Sequence, residues 1–266
     1  MRAKKSLGQN FLKSNSVLKE IVEAGEVVPT DTVLEIGPGK GALTKVLLEK
    51  ANKVVAIEKD DLLIPILEET FRTEIQNKKL SLIHGDIMEH TPKSLGVEGE
   101  YKLIANIPYY ITGQIIRNFL TTDTKPKTIV LLVQKEVADR IVARDGKESL
   151  LSISIKVYGT PKYIGKVSKK YFSPMPKVDS AIIKITNINK DFFDVIDEKD
   201  FFEIARTGFQ HKRKQLLGNL KQKYKNIDVE KMFTAINLNK KIRAEDVSLE
   251  HWKYFTQSIY PKKLES

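Results

Sequence analysis

Thr32-Val33-Leu34-Glu35-Ile36-Gly37-Pro38-Gly39-Lys40-Gly41 is the stretch on which the fold turns. A β-branched apolar run ends in glycines at alternate positions, and a helical pattern opens at Ala42. Strand, glycine turn and helix in that order begin a parallel sheet covered on both faces, with glycine where the backbone must turn tightly and let a ligand approach. Working outward, short strands are expected over Val54–Ile57, Leu80–His84, Lys102–Ala105 and Ile129–Val133, each followed by a turn or a helix start. That rhythm predicts an α/β, doubly wound, Rossmann-like core. Ile153–Val157 and Ala181–Thr186 read as two further strands, and the Gly, Lys and Pro-rich stretch 159–177 between them as loop. The polar run Asn187-Ile188-Asn189-Lys190-Asp191 reads as a linker, and beyond it apolar residues recur at helical spacing as far as Trp252 and Phe255. The expected organisation is therefore one α/β domain over 1–186 and a small all-helical domain over 187–266.

Composition narrows the function classes. The 266 residues are 41% hydrophobic and 30% charged, which describes a globular chain and excludes a disordered one. Lys and Arg number 45 against 34 Asp and Glu, a formal charge of +11 that points to a polyanionic partner. There is no cysteine, so disulfides, thiolate metal sites and a cysteine nucleophile are excluded. The basic start Met1-Arg2-Ala3-Lys4-Lys5 lacks an apolar leader core, and no apolar run nears the roughly 20 residues that span a bilayer. A cytoplasmic location, with no membrane partner, is the expectation.

The strand ends carry the chemistry. Glu58 closes the strand after the glycine loop, where a carboxylate can accept both hydroxyls of a ribose, so a nucleoside-bearing cofactor is implied. Ala42 also satisfies the looser Gly-x-Gly-x-x-Gly/Ala pattern, so these residues alone leave a dinucleotide dehydrogenase open. His84-Gly85-Asp86 closes the next strand, and Asp86 at that edge can accept from an adenine amine or simply cap a turn. Asn106-Ile107-Pro108-Tyr109 closes the fourth. An amine conjugated to an aromatic ring is a poor nucleophile, because its lone pair is delocalised. The amide oxygen of Asn106 and the carbonyl of Pro108 can accept its two protons and draw the nitrogen towards tetrahedral geometry, while Tyr109 offers a flat ring for the base. On this reading stacking requires the ring of Tyr109 and not its hydroxyl. A dehydrogenase has no use for that trio.

With these motifs in view, the chain resembles the KsgA/RsmA-like family of ribosomal RNA small-subunit adenine dimethyltransferases nearly end to end. The resemblance begins at Ser6-Leu7-Gly8-Gln9-Asn10-Phe11-Leu12 and runs through the glycine loop, Glu58, Gly85-Asp86 and Asn106-Ile107-Pro108-Tyr109. It continues in Phe172-Ser173-Pro174-Met175-Pro176-Lys177-Val178-Asp179-Ser180 and in Phe209-Gln210-His211-Lys212-Arg213-Lys214. It implies S-adenosyl-L-methionine as cofactor, contacted by Asn10, Leu12, Gly37, Gly39, Glu58, Asp86 and Asn106. It further implies an adenine pocket of Asn106, Pro108, Tyr109 and Phe172, with Phe172 covering the second face of the base. The implied reaction is dimethylation of the exocyclic amines of two adjacent adenines near the 3′ end of small-subunit ribosomal RNA, with a role in late subunit biogenesis. Tyr110 stands where many members carry Asn, and His211-Lys212 where a pair of arginines is usual. A macrolide-resistance enzyme acting on large-subunit RNA shares the pocket logic. An assembly or transcription factor on the same fold, in which binding is primary, is the reading from another class.

Cations fall in three stretches. Arg206, Lys212, Arg213, Lys214, Lys221, Lys223 and Lys225 lie between Ile204 and Ile227 with no carboxylate among them. Lys156, Lys162, Lys166, Lys169, Lys170 and Lys177 lie between Ser149 and Val178, again without an acid, and Arg2, Lys4, Lys5, Lys13 and Lys19 fall within the first 19 residues. Segregation of that kind is expected of a surface that tracks phosphates, with Lys169, Lys170, Lys212, Arg213, Lys214 and Lys221 as its candidates and the small ribosomal subunit with its RNA as the partner. His84, His90, His211 and His251 show no metal-ligand spacing, so no metal is expected. The absence of a heptad pattern makes a monomer the default.

Overall fold

The structure is a computed structural model that describes residues 8–211 and 213–261. Its main sheet has seven strands in the order β4-β3-β2-β5-β6-β9-β7, formed by β2 (Thr32–Ile36), β3 (Lys53–Glu58), β4 (Leu80–His84), β5 (Tyr101–Asn106), β6 (Thr128–Gln134), β7 (Thr160–Val167) and β9 (Ser180–Thr186). The five from β2 to β6 pair in parallel, and β9 and β7 close one edge antiparallel. A two-stranded ladder joins β1 (Phe11–Leu12) to β8 (Phe172–Ser173), with Phe11 opposite Ser173 and Leu12 opposite Phe172. Helices α1 (Asn15–Ala24), α2 (Ala42–Lys50), α3 (Ile64–Thr70), α4 (Arg72–Gln76), α5 (Thr112–Thr121) and α6 (Lys135–Val142) connect and cover the strands.

The central strands are buried along both faces, which is why they read as near-continuous Val, Ile and Leu runs. Helix α1 turns Val17, Leu18, Ile21 and Val22 onto the core, the repeat of an amphipathic helix laid on a sheet. The chain winds from β2 to β4 on one side and then returns to place β5 on the other side of β2. In open α/β sheets ligands bind outside the carboxyl ends of the strands at such a reversal. The turn after β2 has Gly37, Gly39 and Gly41 at φ of +66°, +61° and +81°.

The chain divides into two compact units. The first runs to Ala138 and resumes over Gly159–Ile188; the second comprises Asp139–Tyr158 together with the chain from Asn189 onward. Residues 139–158 thus leave the α/β unit, where a boundary at residue 186 had been expected. The cause is local. Ile153–Val157, expected as a strand, lies mostly within helix α7 (Leu150–Lys156), started by a reciprocal cap in which Ser149 and Ser152 exchange side-chain and backbone hydrogen bonds. The stretch expected as loop contains strand β7 instead. Its Pro161, lysines and bulge near Gly165 are what an edge strand carries, and they hide it from a search for apolar alternation.

In the second unit, α7 is joined by α8 (Glu198–Phe209), α9 (Leu216–Lys223), α10 (Val229–Ala235) and α11 (Leu249–Ile259). Phe201, Leu216, Leu220, Phe233, Trp252 and Phe255 form its buried centre, with the rings of Trp252 and Phe209 stacked at 5.7 Å. No described helix is long and apolar enough to cross a membrane.

Gly41 tests the packing of the glycine turn. A Cβ added there would meet Phe71 Cζ at 2.8 Å on a left-handed backbone, so Gly41→Ala is expected to cost about 2–4 kcal/mol, read as a lower denaturant midpoint. An unchanged midpoint would show that the turn adapts freely.

Candidate active site

A cleft of about 660 Å³ opens at the carboxyl edge of the parallel strands, within the range of roughly 300–1,000 Å³ usual for small-molecule sites. Gly37, Gly39, Glu58, Asp86, Asn106, Pro108 and Tyr109, expected from sequence to act together, all line it, as do Asn10 and Leu12. Parallel register delivers the strand ends to one edge: Ile36 lies opposite Ile57, and Glu58 opposite His84.

Glu58 is the fixed point of the glycine-turn side of the cleft. Its Oε2 accepts the N–H of Gly39 at 2.9 Å and its Oε1 accepts the N–H of Asp60 at 2.8 Å. Burial pushes its carboxyl above the usual range, against the pull of those two donors. Each oxygen keeps a second lone pair, so a ribose diol can still be accepted. At Gly37 a Cβ would meet nothing within 4 Å, leaving open space beside a left-handed residue on the cleft wall. Asp86 accepts from Lys59 Nζ at 2.6 Å and from the Met88 N–H at 3.0 Å, and the lysine holds its carboxyl below the ordinary range. The capping role and the pairing with Lys59 coexist, and Asp86 remains on the cleft wall.

The acceptor side turns on Asn106. Its Nδ2 donates to the backbone carbonyl of Asn10 at 3.3 Å, which leaves Oδ1 as the amide atom available to accept. Asn10 is held in turn by its own Nδ2, which donates to the Gly8 carbonyl at 3.0 Å, and Gln9 Nε2 donates to Asp60 Oδ2 at 2.6 Å. The Pro108 carbonyl accepts the Ile111 N–H at 3.3 Å, and a carbonyl oxygen has two lone pairs to offer. Tyr109 is half-buried and its hydroxyl meets Ser180 Oγ at 2.6 Å.

Phe172 departs from expectation. It packs into the core cluster with Leu12, Leu18 and Ile182 and does not line the cleft. It stands opposite the buried Leu12 in the short ladder, and Ser173 is the residue of β8 on the cleft wall. The second face of a bound base is therefore not covered by Phe172 in this structure. Phe11 and Tyr110 are the other aromatic residues on the wall; Tyr110, one of the positions where the sequence departs from the family pattern, is 63% exposed, an unusual placement for a large aromatic ring.

Glu35 was also passed over, although it begins the glycine motif. It lies on the cleft wall yet is 1% exposed, and its Oε2 has no hydrogen-bond partner. Burial pushes its carboxyl up to about 8.

The basic segments are less segregated in space than in sequence. Lys156 pairs with Glu148, Lys166 with Asp179, Lys223 with Glu203, and Lys221 with Glu230, which also takes Lys240. Lys221 is thus answered by a neighbouring helix that sequence order could not reveal. Lys169, Lys170, Arg213 and Lys214 have no ion pair among the described residues, although Lys170 lies over the Tyr171 ring. Lys212 lies outside the described residues, as do residues 1–7. No described cluster of three His, Asp or Glu is arranged to hold a metal.

Carboxylates at successive strand ends, a glycine turn, and an amide and a carbonyl together on one cleft are the arrangement expected of an S-adenosylmethionine-dependent methyltransferase. A family model described as ribosomal RNA adenine dimethylase matches residues 1–259. Ribosomal RNA small subunit methyltransferase A of Dehalococcoides mccartyi (strain CBDB1) is 43% identical over 259 residues, 95% of this chain and 87% of that protein. Its namesake from Clostridium acetobutylicum is 40% identical over 263 residues, 97% of this chain and 94% of that one. A solved dimethyladenosine transferase from Plasmodium falciparum superposes with a TM-score of 0.78 at 27% identity, covering 92% of this chain and 95% of that one. The chain belongs to the ribosomal RNA adenine dimethylase family, whose enzymes use S-adenosylmethionine to methylate adenine amines of ribosomal RNA.

Glu35 gives a prediction with a definite sign. Between the ordinary value of 4.5 and about 8, the folded protein retains a proton that the unfolded chain has released, so stability falls as pH rises through that window and levels off above it. The thermal midpoint of Glu35→Gln is expected to decline less steeply across this range than that of the unsubstituted protein. Parallel curves would show that Glu35 ionises normally.

Proposed function

We propose that this enzyme dimethylates the exocyclic amines of two adjacent adenines near the 3′ end of small-subunit ribosomal RNA, in the cytoplasm and as a monomer. The observation that carries the chemistry is the commitment of Asn106 Nδ2 to the Asn10 carbonyl, which leaves Oδ1 as an acceptor beside the Tyr109 ring. The names of the relatives at 43% and 40% identity support the small subunit over the large one.

The pocket has to receive a base taken out of its stack, and Tyr109 supplies a face worth about 1–3 kcal/mol against the unstacking cost. Asn106 Oδ1 and the Pro108 carbonyl accept the two amine protons and withdraw the nitrogen lone pair from the ring. S-adenosylmethionine supplies a methyl group on a cationic sulfur whose departure leaves a neutral thioether. No strong base is needed beforehand, because the nitrogen becomes acidic only once it is alkylated and its proton then passes to water. Positioning therefore supplies most of the acceleration. Glu58, Asp86, Gly37, Gly39, Asn10 and Leu12 form the cofactor side. Lys169, Lys170, Arg213 and Lys214 are the cations offered to phosphates, and the second unit is read as the helical RNA-binding domain.

The test is incubation with labelled cofactor and, separately, unmethylated small subunits, large subunits and free RNA, followed by mapping of the modified nucleotides. Label confined to two neighbouring adenines of the small subunit is expected; label on the large subunit would favour the macrolide-resistance reading, and binding without label an assembly factor. In the same assay Asn106→Ala is expected to lose more than a hundred-fold in turnover while still retaining RNA, as the loss of a transition-state acceptor does. Near-normal turnover would remove Asn106 from the mechanism.

A further inference from the structure

Ser180 is the fully buried polar residue of strand β9, whose other polar members, Lys184 and Thr186, are only partly buried. It opens β9, paired to Gln134 of β6 on one side and Val167 of β7 on the other, and it is fully buried ahead of Ala181, Ile182 and Ile183. A hydroxyl at such a position costs stability unless it is hydrogen-bonded. Its partner comes from 71 residues away: the Tyr109 hydroxyl, at 2.6 Å.

Tyr109 is thereby held at both ends. Its backbone carbonyl accepts from Thr112 Oγ1 at 3.0 Å, and its ring tip is tied to Ser180, while the ring lines the cleft. The residue beside Ser180 secures the same corner. Asp179 accepts the Lys169 N–H at 3.0 Å and pairs with Lys166 at 2.8 Å, and its carbonyl accepts the Lys135 N–H at 3.0 Å.

We infer that Ser180 is a positioning residue for methyl transfer, fixing the plane of the Tyr109 ring so that a stacked adenine presents its amine to Asn106 and Pro108. The inference rests on the proposed function and deepens it. It also corrects the reading that only the ring of Tyr109 matters: the hydroxyl carries the tether. Ser180 sits in a strand paired on both sides, so the tether refers the ring to the rigid sheet and not to the turn that bears it. Small errors in the placement of reacting atoms cost heavily in rate, and a ring free to tilt introduces such errors.

The test is a double-mutant cycle on methylation of the natural RNA, with Ser180→Ala, Tyr109→Phe and the two combined. Each single change is expected to lower kcat roughly ten-fold with KM for the cofactor unchanged, and the combination to lower it no further. RNA carrying 2-aminopurine at the target position should fluoresce more brightly on both single variants than on the unsubstituted enzyme, because an untethered ring quenches less. Independent, multiplying losses, or singles at full rate and full quenching, would overturn the inference while leaving the function intact. No methylation by the unsubstituted enzyme would overturn the functional reading and this inference with it. Tyr109→Phe cuts the tether without replacing any residue of the sheet, so its own loss of rate and of quenching tests the tether even if Ser180→Ala fails to fold.

Discussion

The Glu58 carboxylate, pinned by the amides of Gly39 and Asp60, is the constraint from which the rest of the site takes its form. It ties the glycine turn after β2 to the end of β3, across two strands already locked in parallel register. A buried carboxylate is costly, and the two amides make it tolerable while fixing its direction. The same contact explains why the turn is rich in glycine, since Gly39 must present its N–H from a left-handed backbone with the Phe11 ring close behind it. Asp60 then carries the constraint onward, accepting from Gln9 and drawing the amino-terminal segment over the strand ends.

Much of this was legible in the sequence because the signals are local. The end of a parallel strand is marked by its turn, and the sheet brings successive ends to one edge, so Gly37, Glu58, Asp86 and Asn106 could be placed together before any coordinates. What escaped depends on partners distant in the chain. Strand β7 looks like loop because an edge strand has one bonded side and tolerates proline and lysine. Helix α7 looks like a strand because Ile153-Ser154-Ile155 alternates, and only the Ser149 cap announces the helix. Phe172 is buried through a two-residue pairing with Phe11 and Leu12, a contact between distant parts of the chain that sequence order does not show. Lys221 looked unanswered because Glu230 lies nine positions further along.

Electrostatics divide the cleft into two regimes. On the cofactor side carboxylates are buried or paired: Glu35 is held largely neutral by burial, whereas Asp86 is kept ionised by Lys59. On the acceptor side the groups are an amide, a carbonyl and a phenol, none of which changes charge near neutral pH. Burial raises the Tyr109 hydroxyl above its ordinary range, so it keeps its proton. A reaction whose electrophile brings its own positive charge suits such a neutral acceptor wall, since a fixed charge there would compete with the aromatic amine for orientation.

The bond from Asn106 to Asn10 has a topological meaning. A primary amide is nearly symmetric in shape but opposite in polarity at its two ends, and without a carbonyl to claim its nitrogen it can turn over and offer a hydrogen where an electron pair is required. The polarity of this corner of the cleft is thus written by main chain ninety-six positions upstream. Peeling back the leading arm would take away that carbonyl together with part of the cleft wall, and leave the amide at the end of β5 without a fixed sense.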